Sequence, residues 1–293
     1  MNQTKYVREP VVAGYFYPDN PVELTRLLDE LFTKNPHGPG RKPVVNRERI
    51  RGVVGYISPH AGYIYSGPVA AHAYLSLAET GLPETIIIIG TNHTGLGSLV
   101  SIYPGGKWIT PLGELIVDSE LGERISKYSE LAELDTDAHL DEHSVEVQLP
   151  FIQYVYGNRV KILPIVVGLH TVETAQDLAR AIKKSIDETN RDVVIIASSD
   201  FNHYEPYEVT KRKDLEAIDY IIKFDTEGFY RVIVEKHITI CGPGGIMTLI
   251  EYTKLIGGEK KKAELLKYAN SGDTSNYRNG VVGYASIKFF IEK

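Results

Sequence analysis

The run ETIIIIG at residues 84–90, which leads into Thr91-Asn92-His93, determines the fold that this sequence predicts. Four consecutive isoleucines are typical of a strand buried on both faces, as in the centre of a parallel sheet covered by helices. Two further apolar runs have the same character, GVVGYIS at 52–58 and DVVIIASS at 192–199. Each of the three runs leads into residues that can bind a metal or transfer a proton. The sequence therefore predicts an α/β protein whose functional residues follow its central strands.

The segments between the apolar runs have the patterns of helices. Residues 173–188 (ETAQDLARAIKKSIDE) are amphipathic at helical spacing, and residues 68–80 (PVAAHAYLSLAET) carry small side chains. Strands that alternate with helices of this length indicate a mostly parallel sheet. Because no linker or internal repeat is visible, we predict a single α/β domain over residues 1–293, with a mostly parallel central sheet flanked by helices on both faces.

Turn and capping signals predict the remaining elements. Further helices are expected at 20–32, 118–128, 143–156, 208–223, 226–235 and 243–256, and further strands at 160–167 and 280–291. The stretch 34–49 is rich in proline, glycine and charge, which predicts an exposed loop. The basic run 260–262 lies beside Glu259 and Glu264 and predicts a solvated face.

The composition excludes several classes of protein. A formal charge of −6 gives no support for a nucleic-acid-binding surface, and the glycine-rich segments form neither a P-loop nor a dinucleotide motif. No segment reaches the ~18–20 apolar residues of a membrane span. The opening MNQTKYVREP lacks the apolar core of a signal peptide, and the single cysteine excludes an internal disulfide. These features predict a cytoplasmic protein without nucleic-acid or membrane partners.

Two histidines follow the first two apolar runs in chain order. Ligands of α/β proteins collect beyond the carboxyl ends of the parallel strands, where His60 and His93 fall. Pro59 keeps the residue before it extended, and Gly62 permits a sharp turn beside His60. Asn92 is placed to orient the His93 ring through a hydrogen bond. The alternative for each histidine is a hydrogen-bonded structural role.

The third run is followed by Asp200 and His203. A spacing of three residues brings the two side chains to one face if the chain turns helically. A carboxylate beside an imidazole raises its basicity and fixes its tautomer, as a general base requires. The alternative is an aspartate that caps a helix, and both roles are compatible.

The only cysteine, Cys241, precedes a predicted helix that begins at about residue 243. A cysteine at a helix N-terminus tends towards thiolate, which is the form that binds metals and acts as a nucleophile. A buried cysteine with a purely structural role is the alternative. His143, in DAHLDEHSVEVQLP, is a further candidate for the pocket, whereas His72 is predicted to lie in the core. The other histidines are interpreted as surface or structural residues: His37, His139, His170 and His237.

Six motifs occur in a fixed order along the chain. They are AGYFYP (13–18), PHAGYIYSG (59–67), GTNH (90–93), DEHSVEVQLPF (141–151), SSDFNHY (198–204) and CGPG (241–244). In these motifs the sequence resembles the Memo family, and VVGYASI (281–287) is similar to the last strand of that family. The resemblance implies a fold like that of the class III extradiol dioxygenases, which are non-haem iron enzymes.

The resemblance also implies a set of site residues. By position, His60, His93 and Cys241 correspond to the metal-binding set, and Asp200 and His203 line the same pocket, with His203 as the acid/base histidine. Asn92, His143 and Tyr63 are expected around the metal or in the substrate pocket. Some members of the family act as adaptors, and some are encoded beside AMMECR-type and radical-SAM proteins, which are therefore candidate partners.

The third metal-binding position departs from the dioxygenase pattern. Non-haem iron(II) is commonly held by two histidines and one carboxylate, whereas here the third residue is Cys241. A thiolate is a softer donor that also suits copper and zinc. Iron(II) is the expected metal, with dioxygen as co-substrate if the site is catalytic.

Three functions remain open on the sequence. The first is a metal-dependent oxidoreductase of the dioxygenase type that acts on an aromatic or enediol-like small molecule. The second is a hydrolase in which His203 and Asp200 activate Cys241. The third is a non-catalytic adaptor that binds a peptide or small ligand in a tyrosine-rich groove; under any of the three, the chain is a candidate homo-oligomer. The tyrosines of that groove are Tyr15, Tyr17, Tyr63, Tyr65 and Tyr204.

Overall fold

A computed structural model describes residues 6–292 of the chain; residues 1–5, half of the stretch MNQTKYVREP, and residue 293 lie outside the described residues. The strands are β1 (Val7–Arg8), β2 (Val53–Ser58), β3 (Thr85–Thr91), β4 (Val100–Ile102), β5 (Lys107–Thr110), β6 (Gly113–Ile116), β7 (Ala132–Leu134), β8 (Lys161–Val167), β9 (Val193–Ser198), β10 (His203–Glu205), β11 (Lys261–Asn270) and β12 (Val281–Ile291). The α-helices are α1 (Pro21–Thr33), α2 (Tyr63–Glu79), α3 (Ser119–Tyr128), α4 (Leu149–Tyr156), α5 (Val172–Thr189), α6 (Tyr207–Ile222), α7 (Thr226–Glu235), α8 (Pro243–Gly257) and α9 (Ser271–Thr274).

Four parallel strands form the centre of a large mixed sheet. They lie in the order β2, β9, β3, β8. On one side β12 pairs antiparallel with β2, and β10 and β11 pair antiparallel with β12. On the other side β4 pairs antiparallel with β8 and parallel with β7. The α/β class is therefore confirmed, and the sheet is mixed, because β4, β10, β11 and β12 each pair antiparallel with a neighbouring strand.

Helices cover both faces of the sheet, as two adjacent residues of β2 illustrate. A Cβ atom added to Gly55 would lie 2.8 Å from Cδ1 of Leu249 on α8. The next residue, Tyr56, shares a hydrogen bond of 3.1 Å with Ser76 on α2. Successive side chains of a strand point to opposite faces, so α8 and α2 lie on opposite faces of the sheet. The predicted arrangement of helices on both faces is confirmed.

The carboxyl ends of the central strands are aligned by their register. Ser58 of β2 pairs with Ser198 of β9, and Ile89 of β3 pairs with Ala197. His60 and Asp200 therefore each lie two residues beyond the same rung of the sheet. Because strand pairing fixes this edge, three remote segments of the sequence deliver their polar residues to one place.

Among the differences from the sequence prediction, two concern the long elements α2 and β11. Helix α2 begins at Tyr63 rather than at Pro68, so the YIYSG segment is helical and not a turn. The helix accommodates Pro68 at the loss of one backbone hydrogen bond. Strand β11 was not predicted, because its three lysines and one glutamate resemble a solvated surface. It pairs with β12 along nine residue pairs at an edge of the sheet, where lysine is a common protection against unwanted pairing.

None of the helices within residues 6–292 has the length and apolar character that crossing a membrane requires.

A buried ion pair fastens the N-terminal segment to the rest of the domain. The Arg8 guanidinium contacts the Glu146 carboxylate, and the two side chains are 4% and 0% exposed. Arg8 also donates to the backbone oxygens of His139 and Glu142. Glu146 accepts from the Tyr17 hydroxyl at 2.7 Å and from backbone N–H groups of the same segment. The pair is thus satisfied by hydrogen bonds on both sides, as a buried ion pair requires.

Replacing Arg8 by alanine should destabilise the protein strongly, because it leaves the Glu146 carboxylate buried without its cation. We expect the free energy of unfolding to fall by about 3–5 kcal/mol, measured by urea denaturation. The matched control is Arg41→Ala, which breaks an exposed ion pair with Glu79 and should cost less than about 1 kcal/mol. Equal effects of the two substitutions would contradict this account.

Candidate metal centre

A cavity of about 600 Å³ opens at the carboxyl edge of the central strands. It contains all five residues that the sequence predicts as metal ligands or catalytic groups. Its lining residues are Phe16, His60, Ala61, Gly62, His93, His143, Asp200, His203, Tyr204, Thr239, Cys241 and Val282. The predicted convergence of distant segments is therefore seen in the fold.

The tautomer of His60 follows from its hydrogen-bond partners. The ring Nδ1 lies 3.0 Å from the Ser198 hydroxyl oxygen. That hydroxyl has one hydrogen, which it donates to the Ser144 backbone oxygen at 2.6 Å. The Ser198 oxygen must therefore accept from His60, and it also accepts from the Gln148 amide at 2.8 Å. His60 consequently carries its hydrogen on Nδ1 and presents the lone pair of Nε2 to the cavity.

His93 has the same tautomer for a different reason. Its Nδ1 lies 2.9 Å from the buried carboxylate of Glu142, and its backbone N–H donates to the same carboxylate at 2.7 Å. Burial alone would raise the pKa of Glu142, but the contact with His93 and the Ser144 N–H lower it to about 2. The ionised carboxylate can only accept, so His93 donates from Nδ1 and leaves Nε2 free. A histidine that donates to a buried carboxylate is a common arrangement behind metal ligands.

Cys241 lies directly against His60. Its Sγ is 3.2 Å from Nε2 of His60 and accepts the Asp200 backbone N–H at 3.2 Å. Because Nε2 of His60 has no hydrogen, the thiol donates its own hydrogen to that atom. Burial and the nearby Asp200 raise the pKa of Cys241. Without a bound cation, burial therefore opposes the thiolate character that a helix N-terminus favours.

Asp200 acts on the backbone of His60 rather than on His203. Its Oδ1 accepts the N–H of His60 at 2.8 Å and that of Ala61 at 3.3 Å. Burial raises its pKa to about 6 even though these N–H groups favour the carboxylate. The carboxylate therefore fixes the loop that follows β2.

Thr239 orients the His203 ring. Nδ1 of His203 donates to the Thr239 backbone oxygen at 2.7 Å, and the His203 N–H donates to the Thr239 hydroxyl at 2.8 Å. The expected orientation of His203 by Asp200 is thus replaced by a main-chain contact. Because a carbonyl oxygen only accepts, Nε2 of His203 is left as a proton acceptor in the cavity.

The side chains of His60, His93 and Cys241 fit a shared cation. Their donor atoms lie within 4.8 Å of one another. Two donors at about 2.0–2.3 Å from one ion are separated by about 3–3.6 Å, which matches the 3.2 Å between Sγ of Cys241 and Nε2 of His60. The hydrogen between these two atoms is the one that a cation would replace. The set is therefore suitable for a metal in its donor types, its tautomers and its spacing.

Of the three further residues predicted around the metal or in the substrate pocket, only His143 lines the cavity. His143 lines the cavity, where its ring stacks on His93 with centroids 4.6 Å apart. Tyr63 lies in the core, 1% exposed, and donates to the Val147 backbone oxygen. Asn92 closes the turn that follows β3, since its side chain accepts from the Thr94 and Gly95 N–H groups and does not contact His93.

The tyrosine-rich groove is only partly present. Tyr17, like Tyr63, is buried, and the two rings pack against each other. Tyr15, Tyr65 and Tyr204 are exposed, and of these Tyr204 lines the cavity.

Sequence reasoning missed the groups that hold the ligands in place. Glu142, Ser198, Gln148 and Thr239 were not singled out. Glu142 and Gln148 occur in a segment that also carries His143 and Glu146. The apolar residues of this segment have helical spacing, so its high number of polar residues was the signal that could have identified them. Ser198 was visible as a polar residue at the end of a buried strand. Thr239 had no signal, because its contribution is a backbone oxygen.

Comparison with known proteins identifies relatives over nearly the whole chain. A family model described as "Memo-like protein" matches residues 8–288. A protein of Desulfurococcus amylolyticus named "MEMO1 family protein" is 58% identical over 97% of this chain and 99% of its own length. Relatives with the same name in Ignicoccus hospitalis and Sulfolobus acidocaldarius are 49% and 47% identical, again over 97% of this chain and 98% and 99% of theirs.

His170 serves the structure beside the cavity. Its Nδ1 accepts the Gly244 N–H at 3.2 Å, so its hydrogen is on Nε2, which lies 3.0 Å from the Thr91 hydroxyl. Protonation would place a second hydrogen opposite the Gly244 N–H. Burial, with a smaller contribution from the nearby His93, lowers the pKa of His170 to about 4.

The neutral His170 ring should make stability depend on pH. Between pH 6.5 and 4 the unfolded chain binds a proton at His170 and the native protein does not. The free energy of unfolding therefore decreases as the pH falls through this range. We expect wild type to lose on the order of 2–3 kcal/mol more than His170→Gln between pH 7 and 4. Urea denaturation of both proteins across this range measures the difference, and parallel curves would refute the assignment.

Proposed function

The chain belongs to the Memo family, and from this membership and the cavity geometry we propose that it is a metal-dependent oxidoreductase that holds iron(II) through His60, His93 and Cys241. Its substrate is proposed to be an aromatic or enediol-like small molecule, with dioxygen as co-substrate. Association with AMMECR-type and radical-SAM partners is part of the same proposal.

The observation that carries the proposal is that His60, His93 and Cys241 place one donor atom each at the same part of the cavity. His60 and His93 are both fixed as Nδ1–H tautomers by groups outside the cavity. Their Nε2 atoms are therefore free for a cation beside Sγ of Cys241. His170, by contrast, uses both ring nitrogens within the protein. Lone pairs held free at a cavity wall are the arrangement expected of ligands.

The donor set is compatible with a redox metal. Two imidazoles and one thiolate suit iron, copper or zinc, and of these iron and copper change oxidation state. Iron(II) bound here would supply electron transfer to and from the substrate. The three protein donors occupy fewer positions than iron(II) usually fills, which leaves room for substrate.

His203 is the group that the chain provides for proton transfer. Its Nε2 accepts a proton from a ligand hydroxyl in the cavity, and the Thr239 backbone oxygen stabilises the ring by accepting from Nδ1. The cavity volume of about 600 Å³ is that of a small-molecule site. Asp200 keeps the His60 backbone in place while the proton moves.

The hydrolase alternative loses its main support in the structure. A nucleophilic cysteine needs a lowered pKa and an adjacent base. Burial instead raises the pKa of Cys241, and the two groups that this alternative assigns as activators are bonded elsewhere, His203 to the Thr239 backbone and Asp200 to the His60 backbone.

Metal analysis of protein loaded anaerobically with iron(II) tests the proposal. Wild type should retain about one equivalent per chain after gel filtration, and His60→Ala should lower the affinity by at least about tenfold, because one of three donors is lost. The matched control is His72→Ala, whose ring lies on α2 and bonds to the His37 backbone oxygen. Stoichiometric iron in His60→Ala, or none in wild type, would overturn the proposal.

Alkylation separates the metal ligand from the nucleophile. In metal-free protein at pH 7, Cys241 should react with iodoacetamide at least about tenfold more slowly than free cysteine, because burial disfavours the thiolate. Added iron(II) or zinc should slow the reaction further by occupying the sulfur. Mass spectrometry of the single cysteine measures both rates. Fast alkylation that metals do not affect would favour the hydrolase.

A further inference from the structure

We propose that Asn202 is a positioning residue for His203: its side-chain amide, acting through Thr239, determines which nitrogen of the His203 ring carries the hydrogen. This role rests on the proposed function, in which His203 accepts a proton from a ligand. The tautomer of the ring is nevertheless a property of the metal-free protein and is measurable there.

Asn202 is a buried residue whose backbone is held by two separate elements. It is 0% exposed. Its N–H donates to Asp214 on α6 at 2.8 Å, and its backbone oxygen accepts from the Gly283 N–H on β12 at 2.9 Å. The amide of Asn202 therefore extends from a fixed point beside the cavity.

Two acceptors determine the direction of the Asn202 amide. Its Nδ2 donates to the Glu205 carboxylate at 2.7 Å and to the Thr210 hydroxyl oxygen at 3.2 Å. The Thr210 hydroxyl uses its own hydrogen on the Glu205 backbone oxygen, so towards Asn202 it can only accept. A hydrogen bond from Lys213, with a smaller contribution from Asn202, lowers the pKa of Glu205 against the effect of burial. The nitrogen must therefore face these two groups, and Oδ1 is turned towards Thr239.

Oδ1 of Asn202 accepts two hydrogen bonds from Thr239. One comes from the Thr239 backbone N–H at 3.0 Å and the other from its hydroxyl at 3.2 Å. Because the hydroxyl has one hydrogen, its oxygen is left to accept the backbone N–H of His203 at 2.8 Å. A reversed amide would place its own N–H groups opposite the Thr239 N–H. The direction of the Asn202 amide thus fixes how Thr239 faces His203.

The backbone oxygen of Thr239 completes the connection, since it accepts from Nδ1 of His203 at 2.7 Å. Thr239 itself is exposed and lies between α7 and α8, outside any helix or strand. Its carbonyl is therefore kept in line with the His203 ring by side-chain contacts rather than by a regular element. Without the amide of Asn202 a hydrogen on Nε2 becomes competitive, and Nε2 then no longer accepts a proton from a ligand.

Nitrogen NMR of the imidazole rings tests this role in metal-free protein at about pH 8.5, where an ordinary imidazole is neutral. In wild type we expect at least about nine-tenths of His203 to carry its hydrogen on Nδ1. Asn202→Leu, which is similar in size, removes the amide and should lower that share to about half or less. Loss of signals in His203→Gln assigns the ring. Asn202→Ser, which leaves room for water beside Glu205, should give the same shift and replaces the leucine variant if that protein does not fold.

Thr210→Val is the matched control, because it removes a partner of the same amide on the side away from Thr239. It should lower the urea midpoint, as Asn202→Leu does, but leave the His203 tautomer as in wild type.

The double variant Asn202→Asp with Glu205→Gln exchanges the donor and the acceptor between these two side chains without changing their total charge. It keeps an oxygen towards Thr239 and should therefore retain the wild-type tautomer.

The outcomes separate the positioning role from the proposed function. A wild-type tautomer in Asn202→Leu or Asn202→Ser would overturn it, and so would an equal shift in Thr210→Val or in the exchanged pair. If iron(II) and zinc do not bind but the tautomer changes only in the two variants without the amide, the metal proposal fails and the positioning role stands. If a metal binds and the tautomer does not change, the positioning role fails and the metal proposal stands.

Discussion

The candidate site depends on how one hydroxyl hydrogen is used. Ser198 donates its only hydrogen to the Ser144 backbone oxygen, and must therefore accept from both His60 and Gln148. This fixes the imidazole tautomer, and with it the direction of the lone pair that faces Cys241. The constraint joins the end of β9 to the segment before α4, so the polarity of the cavity wall is determined by groups that do not line it. The chemistry of the cavity thus depends on how the end of β9 packs against the segment before α4.

The sequence was sufficient to predict the features of the site that follow from the geometry of the central strands. Continuous apolar runs before His60, His93 and Asp200 predicted buried parallel strands, and parallel strands end at one edge. The register of Ser58 with Ser198 then accounts for the meeting of residues 140 positions apart. The mixed character of the sheet was not predictable in the same way. β11 is an edge strand. Its lysines and its glutamate are typical of a solvent-exposed surface, so they give no signal of strand pairing.

Other features of the site depend on tertiary contacts that have no local pattern. Thr239 orients His203 through a backbone oxygen, which any residue could supply. Asp200 was expected to hold the His203 ring because the two are close in sequence, and they do line one cavity, yet the carboxylate accepts from the His60 backbone and the ring bonds to Thr239. The thiol of Cys241 was expected to ionise near a helix start, but burial has the larger effect on its pKa. In each case short-range spacing was overridden by which group the fold places nearby.

The position of β12 has a consequence for biosynthesis. This strand (Val281–Ile291) pairs directly with β2, whose residues lie more than 200 positions earlier. A ribosome therefore releases β2 long before its neighbour exists, and the sheet can close only when residues up to 291 have left the exit tunnel. Such long-range pairing slows folding and leaves an open apolar edge in the nascent chain. The hydrogen-bonding edge of β2 therefore stays open to non-native pairing until translation is nearly complete.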